Sequence, residues 1–460
     1  MKLFNDRKKQ KGFVLMFSGL MLTFVIIPTV GLAIDVGVVY AIKAKLQTAV
    51  DGAALAAARG LSRGSTMGSQ EAAAAETAQR FFQANLNDGY LGLHGAHAET
   101  TFPPAPAKTK IVDITAEVQA PTYFMKILGV NSLKITAIGS ATRRDVNIVM
   151  VLDRSQSLDN SGSCDDLREA AKSFVQTFVD GRDRIGLVTF GASYRTDFAP
   201  AMNFQTAGTN VITHINNINC AGWTNAAAAY WEGYLKLKDI NEPGTLNVIL
   251  FFTDGQPNTI TVNLEVIPGR CGGSTTDRAG VLTPADSGSG LYRILAPNAP
   301  PIPDPDQTVA TSMSGCAANS SPSTVESDLR MKLGSSNEVD INGNSFISYK
   351  TPVRRNSTTG RIRINDQETI QNMGINALDN AAKRVRTESA ANGLEVVTYC
   401  IGLGGPGAAE DTLMQRISNV TQSNIYDSTK PRGMYILADN ASQLQMAFAS
   451  LASDILRISR

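Results

Sequence analysis

Residues 151–164 read VLDRSQSLDNSGSC: the tail of an apolar run, then an acid and two hydroxyls on alternate positions, Asp153, Ser155 and Ser157. The run itself, VNIVMVLD from residue 146, is too continuously apolar for a half-exposed strand and predicts one covered on both faces. Outward from it, a helix is expected from about Asp165 with Leu167, Ala171, Phe174 and Phe178 on one face. Strands are expected at RIGLVTFG and YRTDFAPA, helices near 206–217 and 225–238, and then the apolar strand NVILFFTDG. Strands alternating with helices predict an α/β fold built on a doubly wound, mainly parallel sheet. Ligands of such sheets bind beyond the carboxyl ends of the strands. Asp153 ends one apolar strand, Asp254 ends another, and in CAGWTN Thr224 stands just before a helix.

Two acids and three hydroxyls supplied by loops at one end of a parallel sheet form an oxygen-only cluster suited to a hard divalent cation: magnesium, with manganese as the alternative. The alternate spacing of Asp153, Ser155 and Ser157 lets one short loop turn three oxygens toward a point. Neutral hydroxyls leave the cation only partly neutralised, so it still seeks an outside carboxylate. Taken singly, each motif has a plainer reading: DxSxS as a helix-capping turn, Thr224 as an N-cap, TDG as a tight turn.

The ordered set DxSxS, T, TDG resembles the von Willebrand factor A domain and its metal-ion-dependent adhesion site (MIDAS), and DRIGLVTFG is similar to that family's second strand. The resemblance implies Ser155 and Ser157 as direct ligands, Thr224 bound directly or through water, and Asp153 and Asp254 acting mostly through water. It also implies recognition of a partner's acidic side chain rather than catalysis, so the chain is read as a non-enzyme.

The same domain is expected to resume with a helix over 366–392, capped by Asn365 or Asp366 and with Ile370, Met373, Ala377, Ala381 and Val385 on one stripe, Gly393 standing past its end. LEVVTYCIGLG is the next strand, followed by a helix from about 409, a short strand at MYILAD and a last helix with Leu444, Phe448, Leu451 and Ile455 inward. The 107 residues between, 259–365, are rich in Gly, Ser, Thr, Asn and Pro, longer than ordinary loops. Leaving the sheet directly after Asp254, they either cover the metal end or form a mobile surface loop.

At the other end of the chain, residues 12–34 hold no charge over 23 positions, enough for a helix to cross a hydrocarbon core of roughly 30 Å. Lys2, Arg7, Lys8, Lys9 and Lys11 precede the stretch and Asp35 ends it, which predicts a single-pass protein with a cytoplasmic N-terminus and the bulk of the chain exported to the periplasm or cell surface. The words GLAIDVGVVYAIKAKLQTAVDGAALAAARG resemble the N-terminal module of TadG-like proteins of tight-adherence (Flp-type) pilus assembly, over about the first 60 residues, a membrane helix running on into an Ala-rich one. Lys11-Gly12-Phe13 looks like a prepilin-peptidase site, but Phe17 stands where pilins carry Glu.

The expected organisation is 1–35 for tail and span, 36–144 for an Ala-rich helix and small α+β module with strands at KIVDITAEVQAP and SLKITAIGSATR, and 145–460 for the A domain with its insertion. His94 and His97, in GLHGAH, read as a solvated turn with no third ligand nearby.

Composition removes other classes. A formal charge of +1 gives no field for nucleic acid, and three histidines in 460 residues argue against a histidine-built zinc or catalytic centre. HExxH and Walker A sequences are absent. GLGGPG at 402–407 matches a dinucleotide fingerprint literally, with Asp427 about twenty residues on, but Pro406 removes an amide donor from the turn. A nucleotide-binding oxidoreductase is therefore the remote alternative, and an A-domain adhesin or envelope scaffold unrelated to pili the nearer one. Of five cysteines, Cys164 and Cys220 fall in loops at the metal end, where a bridge would brace the rim. Cys271 and Cys316 would then staple the insertion, leaving Cys400 as a buried thiol. The function these readings predict is pilus assembly or surface attachment through a metal-gated contact with a protein, possible pilus components included.

Overall fold

Helix runs without a break through the charge-free stretch. In the computed structural model, which describes residues 6–61, 67–105, 109–266, 277–282, 291–292, 329–331, 338–350, 367–404 and 410–458, α1 (Asp6–Met21) passes through a π turn at Leu22–Ile26 into α2 (Ile27–Gly60). Pro28 accounts for the π turn: its ring crowds the carbonyl four residues back and it has no N–H to give, so the helix widens just before it. The hydroxyls of Ser18, Thr23 and Thr29 donate to the carbonyls of Val14, Gly19 and Val25 at 2.7, 2.8 and 2.5 Å, which satisfies them within an apolar helix. From residue 14 to residue 34 every position except Gly31 is exposed, an apolar surface that calls for lipid rather than water. An 18-residue window of this helix reaches a mean hydropathy of 2.2, and the helix has the length to cross a membrane.

The chain divides into two compact units, Met1–Arg143 and Arg144–Ser459. In the first, α2 and α3 (Met67–Asn85) pack on a three-stranded antiparallel sheet ordered β1-β2-β3, with β1 at His94–Thr101, β2 at Thr109–Pro121 and β3 at Ser132–Arg144. Small residues permit the close helix contact: a Cβ on Gly60 would meet the Ala74 backbone at 2.7 Å. Ile42, Leu46, Val50, Phe82, Ile114 and Val118 fill the core between helices and sheet. His94 and His97 lie in β1, not in a turn, because their backbones pair with Gln119 and Glu117 of β2 across a bulge. The short segment before β3 is a 3-10 turn, Met125–Leu128.

The second unit is built on six strands ordered β13-β12-β7-β4-β5-β6, with β4 at Val146–Asp153, β5 at Arg184–Phe190, β6 at Tyr194–Ala201 and β7 at Leu246–Thr253. β12 (Val397–Leu403) and β13 (Met434–Ala438) complete it. Every pairing is parallel except β5 with β6. β4 and β7 are buried at every residue, as continuous apolar runs require in a sheet covered on both faces.

After β4 come α4 (Gln156–Asn160) and α5 (Cys164–Val175), then α6 (Val211–Asn216) and α7 (Ala226–Ile240). α8 (Gln367–Ala391), α9 (Asp411–Ile417) and α10 (Leu444–Ile458) follow. Val149, Val151 and Phe251 pack under Tyr230 and Tyr234 of α7 and Met373 of α8. On the opposite face Met150, Leu250 and Phe252 pack under Leu167 and Phe174 of α5 and Phe448 of α10. The helix expected near 206–217 is shorter because Asn210 caps it, accepting from the Thr213 amide at 2.9 Å. The expected caps Asn365 and Asp366 lie outside the described residues, while Gly393 ends α8 with φ of 71°.

The insertion is not simply loop. β8 (Ile260–Val266), β9 (Asp277–Leu282), β10 (Leu291–Tyr292) and β11 (Leu329–Met331) form a second, antiparallel sheet ordered β10-β9-β8-β11. Its Gly, Ser and Thr content conceals short strands whose partners are distant in sequence, such as Ile260 opposite Leu282. Residues 338–350 dock on α8, where the Asn376 side chain accepts from the amides of Tyr349 and Lys350 at 2.9 and 2.5 Å and donates to the Phe346 carbonyl at 2.6 Å.

Candidate metal centre

The sheet order reverses at β4: the chain crosses to β5 on one side and later returns to β7 on the other, which opens a crevice at the carboxyl ends of β4 and β7. Leu152 pairs with Phe252, so Asp153 and Thr253 end their strands level with one another. Asp153 is wholly buried. Its Oδ1 accepts the Ser155 amide at 2.8 Å and its Oδ2 accepts the Thr253 hydroxyl at 2.5 Å.

Ser155 occupies the N-cap position of α4, yet its hydroxyl makes no capping bond. It lies 3.0 Å from the Ser157 hydroxyl and donates to Asp254 Oδ1 at 3.2 Å, across 99 residues of sequence. The capping turn is thus present while its hydroxyl is spent on the acid of another strand. Ser157 belongs to the first turn of α4 and is exposed, so the cluster grades from buried Asp153 to an open mouth.

Thr224 is not the N-cap of α7; Asn225 is, and its side-chain amide donates to the Ala192 carbonyl at 3.1 Å and the Thr261 hydroxyl at 2.8 Å. Thr224 is buried, and Asn258 grips its backbone, accepting its amide at 2.8 Å and donating an amide to its carbonyl at 3.1 Å. Among the described residues no hydrogen bond ties the Thr224 hydroxyl to the Ser155–Asp254 chain. Its loop is nonetheless fastened to the DxSxS loop: the Gln156 amide donates to the Gly222 carbonyl at 3.0 Å and the Ala221 amide to the Arg154 carbonyl at 2.7 Å. A Cys164–Cys220 disulfide closes the same rim, with Cα atoms 6.1 Å apart, and Cys400 is a buried thiol. Cys271 and Cys316 lie outside the described residues.

Two supports, Arg154 and Asn258, escaped the sequence reading. Arg154, between the acid and the first serine, is buried and donates from Nε to the Thr189 hydroxyl at 3.2 Å; Thr189 in turn donates to Asp197 of β6. Thr253 was visible inside the TDG motif, whereas nothing local marks Arg154 or Asn258.

Electrostatically the pair of acids is unsatisfied. Burial, and then the neighbouring Asp254 charge, push the Asp153 carboxyl up to about 8. Burial likewise raises Asp254, against the lowering effect of the Ser157 and Ser155 hydroxyls. Two carboxylates that resist ionising together, ringed by hydroxyl oxygens, suit a hard cation. Among the described residues no three His, Cys, Asp or Glu side chains converge, so a cation here must rely on the hydroxyls. Of GLGGPG, residues 405–407 lie outside the described residues, and Gly402 sits in β12 of the A-domain sheet.

The fold and the crevice define the second unit as a von Willebrand factor A domain, and the von Willebrand factor type A domain family matches residues 148–256. The Flp pilus-assembly TadE/G-like family matches residues 12–60, and the Tad-like Flp pilus-assembly family matches residues 53–141. Residues 12–141 are thus similar to Tad-like Flp pilus-assembly proteins and residues 148–256 to a von Willebrand factor A domain, each match covering less than half of the chain. No curated protein is similar enough in sequence to match. Among solved structures, the chain is similar to the PilB minor pilin from Streptococcus sanguinis at 15% identity and a TM-score of 0.37, covering 81% of this chain and 80% of that one. The von Willebrand factor domain of the type V pili tip protein Mfa5 from Porphyromonas gingivalis is similar at 12% identity and a TM-score of 0.37, over 70% of this chain and 98% of that one.

Proposed function

We propose that this protein is anchored by its N-terminal helix, exported, and engaged in Flp pilus assembly or surface attachment, where its A domain binds a protein partner through a cation. Asp153, Ser155, Ser157, Thr224 and Asp254 would hold magnesium, or manganese in its place. The cation would offer an open position to an acidic side chain of the partner, which makes the site a binding device rather than a catalytic one. The observation that carries this reading is Ser155: an N-cap serine whose hydroxyl turns from its own helix to Asp254. A purely structural turn would spend that hydroxyl on the exposed amides of its helix. Matches to pilus-assembly families over residues 12–60 and 53–141 favour a pilus role over an unrelated envelope scaffold. The basic residues before position 12 support a cytoplasmic N-terminus.

Asp254→Ala tests the site. It removes one of only two acids, so calorimetry should register no magnesium heat while circular dichroism keeps the wild-type helix and strand signal. Capture of pilus components by the purified protein should fall in this variant and in EDTA. Capture unchanged under both conditions would sink the mechanism.

A further inference from the structure

A second surface, in the first unit, is built against the end of the apolar stretch. Asp35, the first charge after the stretch, is fully buried. Its carboxylate accepts three consecutive backbone amides: Tyr123 at 2.7 Å, Phe124 at 2.9 Å and Met125 at 2.6 Å. Gly31, the lone unexposed position between 14 and 34, lies under the Phe124 ring, which a Cβ there would meet at 2.5 Å. The segment 123–128 is therefore held at two points against the last turn of α2 inside the charge-free stretch. At 1.5 Å per residue, Gly31 sits about 5 Å short of the stretch's end at Ile34.

What this segment leaves uncovered is apolar. Ile127 and Leu128 are 83% and 82% exposed and Tyr123 is 53% exposed, beside an exposed Lys126. The Tyr123 hydroxyl donates to the Leu91 carbonyl at 3.4 Å, which adds the exposed Tyr90 and Leu91 to the same neighbourhood. Aliphatic side chains flanked by tyrosine and lysine are the composition of a bilayer–water interface, where amphipathic rings and long cations sit at headgroup level.

We propose that residues 123–128 form a membrane-contacting turn that dips into the leaflet into which α2 emerges, so that a lipid surface, not a protein, covers Ile127 and Leu128. The reason for choosing lipid is continuity: the turn is bound to a helix whose neighbouring surface already requires it. The inference rests on membrane anchoring of residues 12–34. Physically, the contact gives the exported unit a second foothold, so that α2 cannot swing freely about the end of its span.

The test uses the full chain reconstituted in phosphatidylcholine bilayers carrying bromine at shallow or deep acyl positions. Leu128→Trp reports the turn, Leu20→Trp the span, and Leu55→Trp an exposed position 21 residues beyond Ile34. Emission from Trp223 and Trp231 of the parent protein is subtracted. Shallow bromines should remove roughly half of the Leu128→Trp emission, as for a ring at headgroup level, and deep bromines less. Leu20→Trp should be quenched most by deep bromines, and Leu55→Trp by neither. Quenching of Leu20→Trp with Leu128→Trp left as in water overturns the turn and leaves the anchor standing. Failure of both to quench overturns the anchor and the turn together. A second variant guards against a ring that seeks lipid by itself: Asp35→Ala frees the amides of 123–125, and in Leu128→Trp it should broaden quenching across both depths. Unchanged depth in that background would overturn the holding role of Asp35.

Discussion

Removing the bridge between Cys164 and Cys220 separates the stability of the A domain from the shape of its rim. The two cysteines are 56 residues apart. In the chain-entropy account, a loop of that length restricts the unfolded chain by about 14 cal/mol/K, or about 4 kcal/mol at 25 °C. The folded rim has other fastenings: the amides of Gln156 and Ala221 bond across it to Gly222 and Arg154, and the Arg168 guanidinium donates to the Ile218 carbonyl at 2.6 Å. The double variant Cys164→Ala, Cys220→Ala should therefore lose about 4 kcal/mol of unfolding free energy, a drop in Tm on the order of 10 °C, yet shift magnesium affinity by less than about five-fold. Urea unfolding followed by tryptophan emission reads this domain alone, because Trp223 lies on the rim and Trp231 in α7. A loss below about 1 kcal/mol would refute the unfolded-state account. A full loss of magnesium binding would refute the claim that backbone bonds hold the rim.

Protons should compete with the cation. Because the Asp153 carboxyl is raised to about 8 from an ordinary value near 4, the metal-free fold binds a proton that the unfolded chain releases. Between about pH 4 and 8 the metal-free domain should thus lose stability as pH rises, by up to about 1.4 kcal/mol per pH unit for that proton, and magnesium should stabilise it more at pH 8 than at pH 5; urea midpoints at several pH values with and without magnesium check both signs. Burial raises the Asp379 carboxyl, but its bonds to Arg416 at 2.8 Å and to Lys383 outweigh that and hold it low. Arg416→Met should cost about 3 kcal/mol by leaving a buried charge half-paired, measured as the same urea midpoint. For topology, alkaline phosphatase fused after Gly60 should be active and a cytoplasm-only reporter there silent; the reverse pattern would refute export.

Local composition was enough for the elements themselves. VNIVMVLD and NVILFFTD announce buried strands because an unbroken apolar run has no face to leave in water, and the stripes Leu167–Phe174 and Ile370–Val385 announce helices by their period. The span was legible for the same reason, since 23 uncharged positions need no partner to be recognised. Pairing across distance was not legible. His94 and His97 became strand by pairing with residues twenty or more positions away, and the insertion gained a sheet in which Ile260 of ITVNLEV lies opposite Leu282.

The candidate site divides along the same line. Asp153, Ser155, Ser157, Thr224 and Asp254 could be named from order and strand context, because loops at the carboxyl ends of a parallel sheet must share one edge. Only the folded chain decided that the Ser155 hydroxyl meets Asp254 rather than its own helix, that Asn258 fixes Thr224, and that Arg154 is buried beneath the loop. Asp35 is the sharpest case. In sequence it is a charge that stops an apolar run; in the fold it binds three amides almost ninety residues away. A side chain's type is local, but the partner that satisfies a buried polar group is chosen by packing, and packing is settled by the whole chain at once.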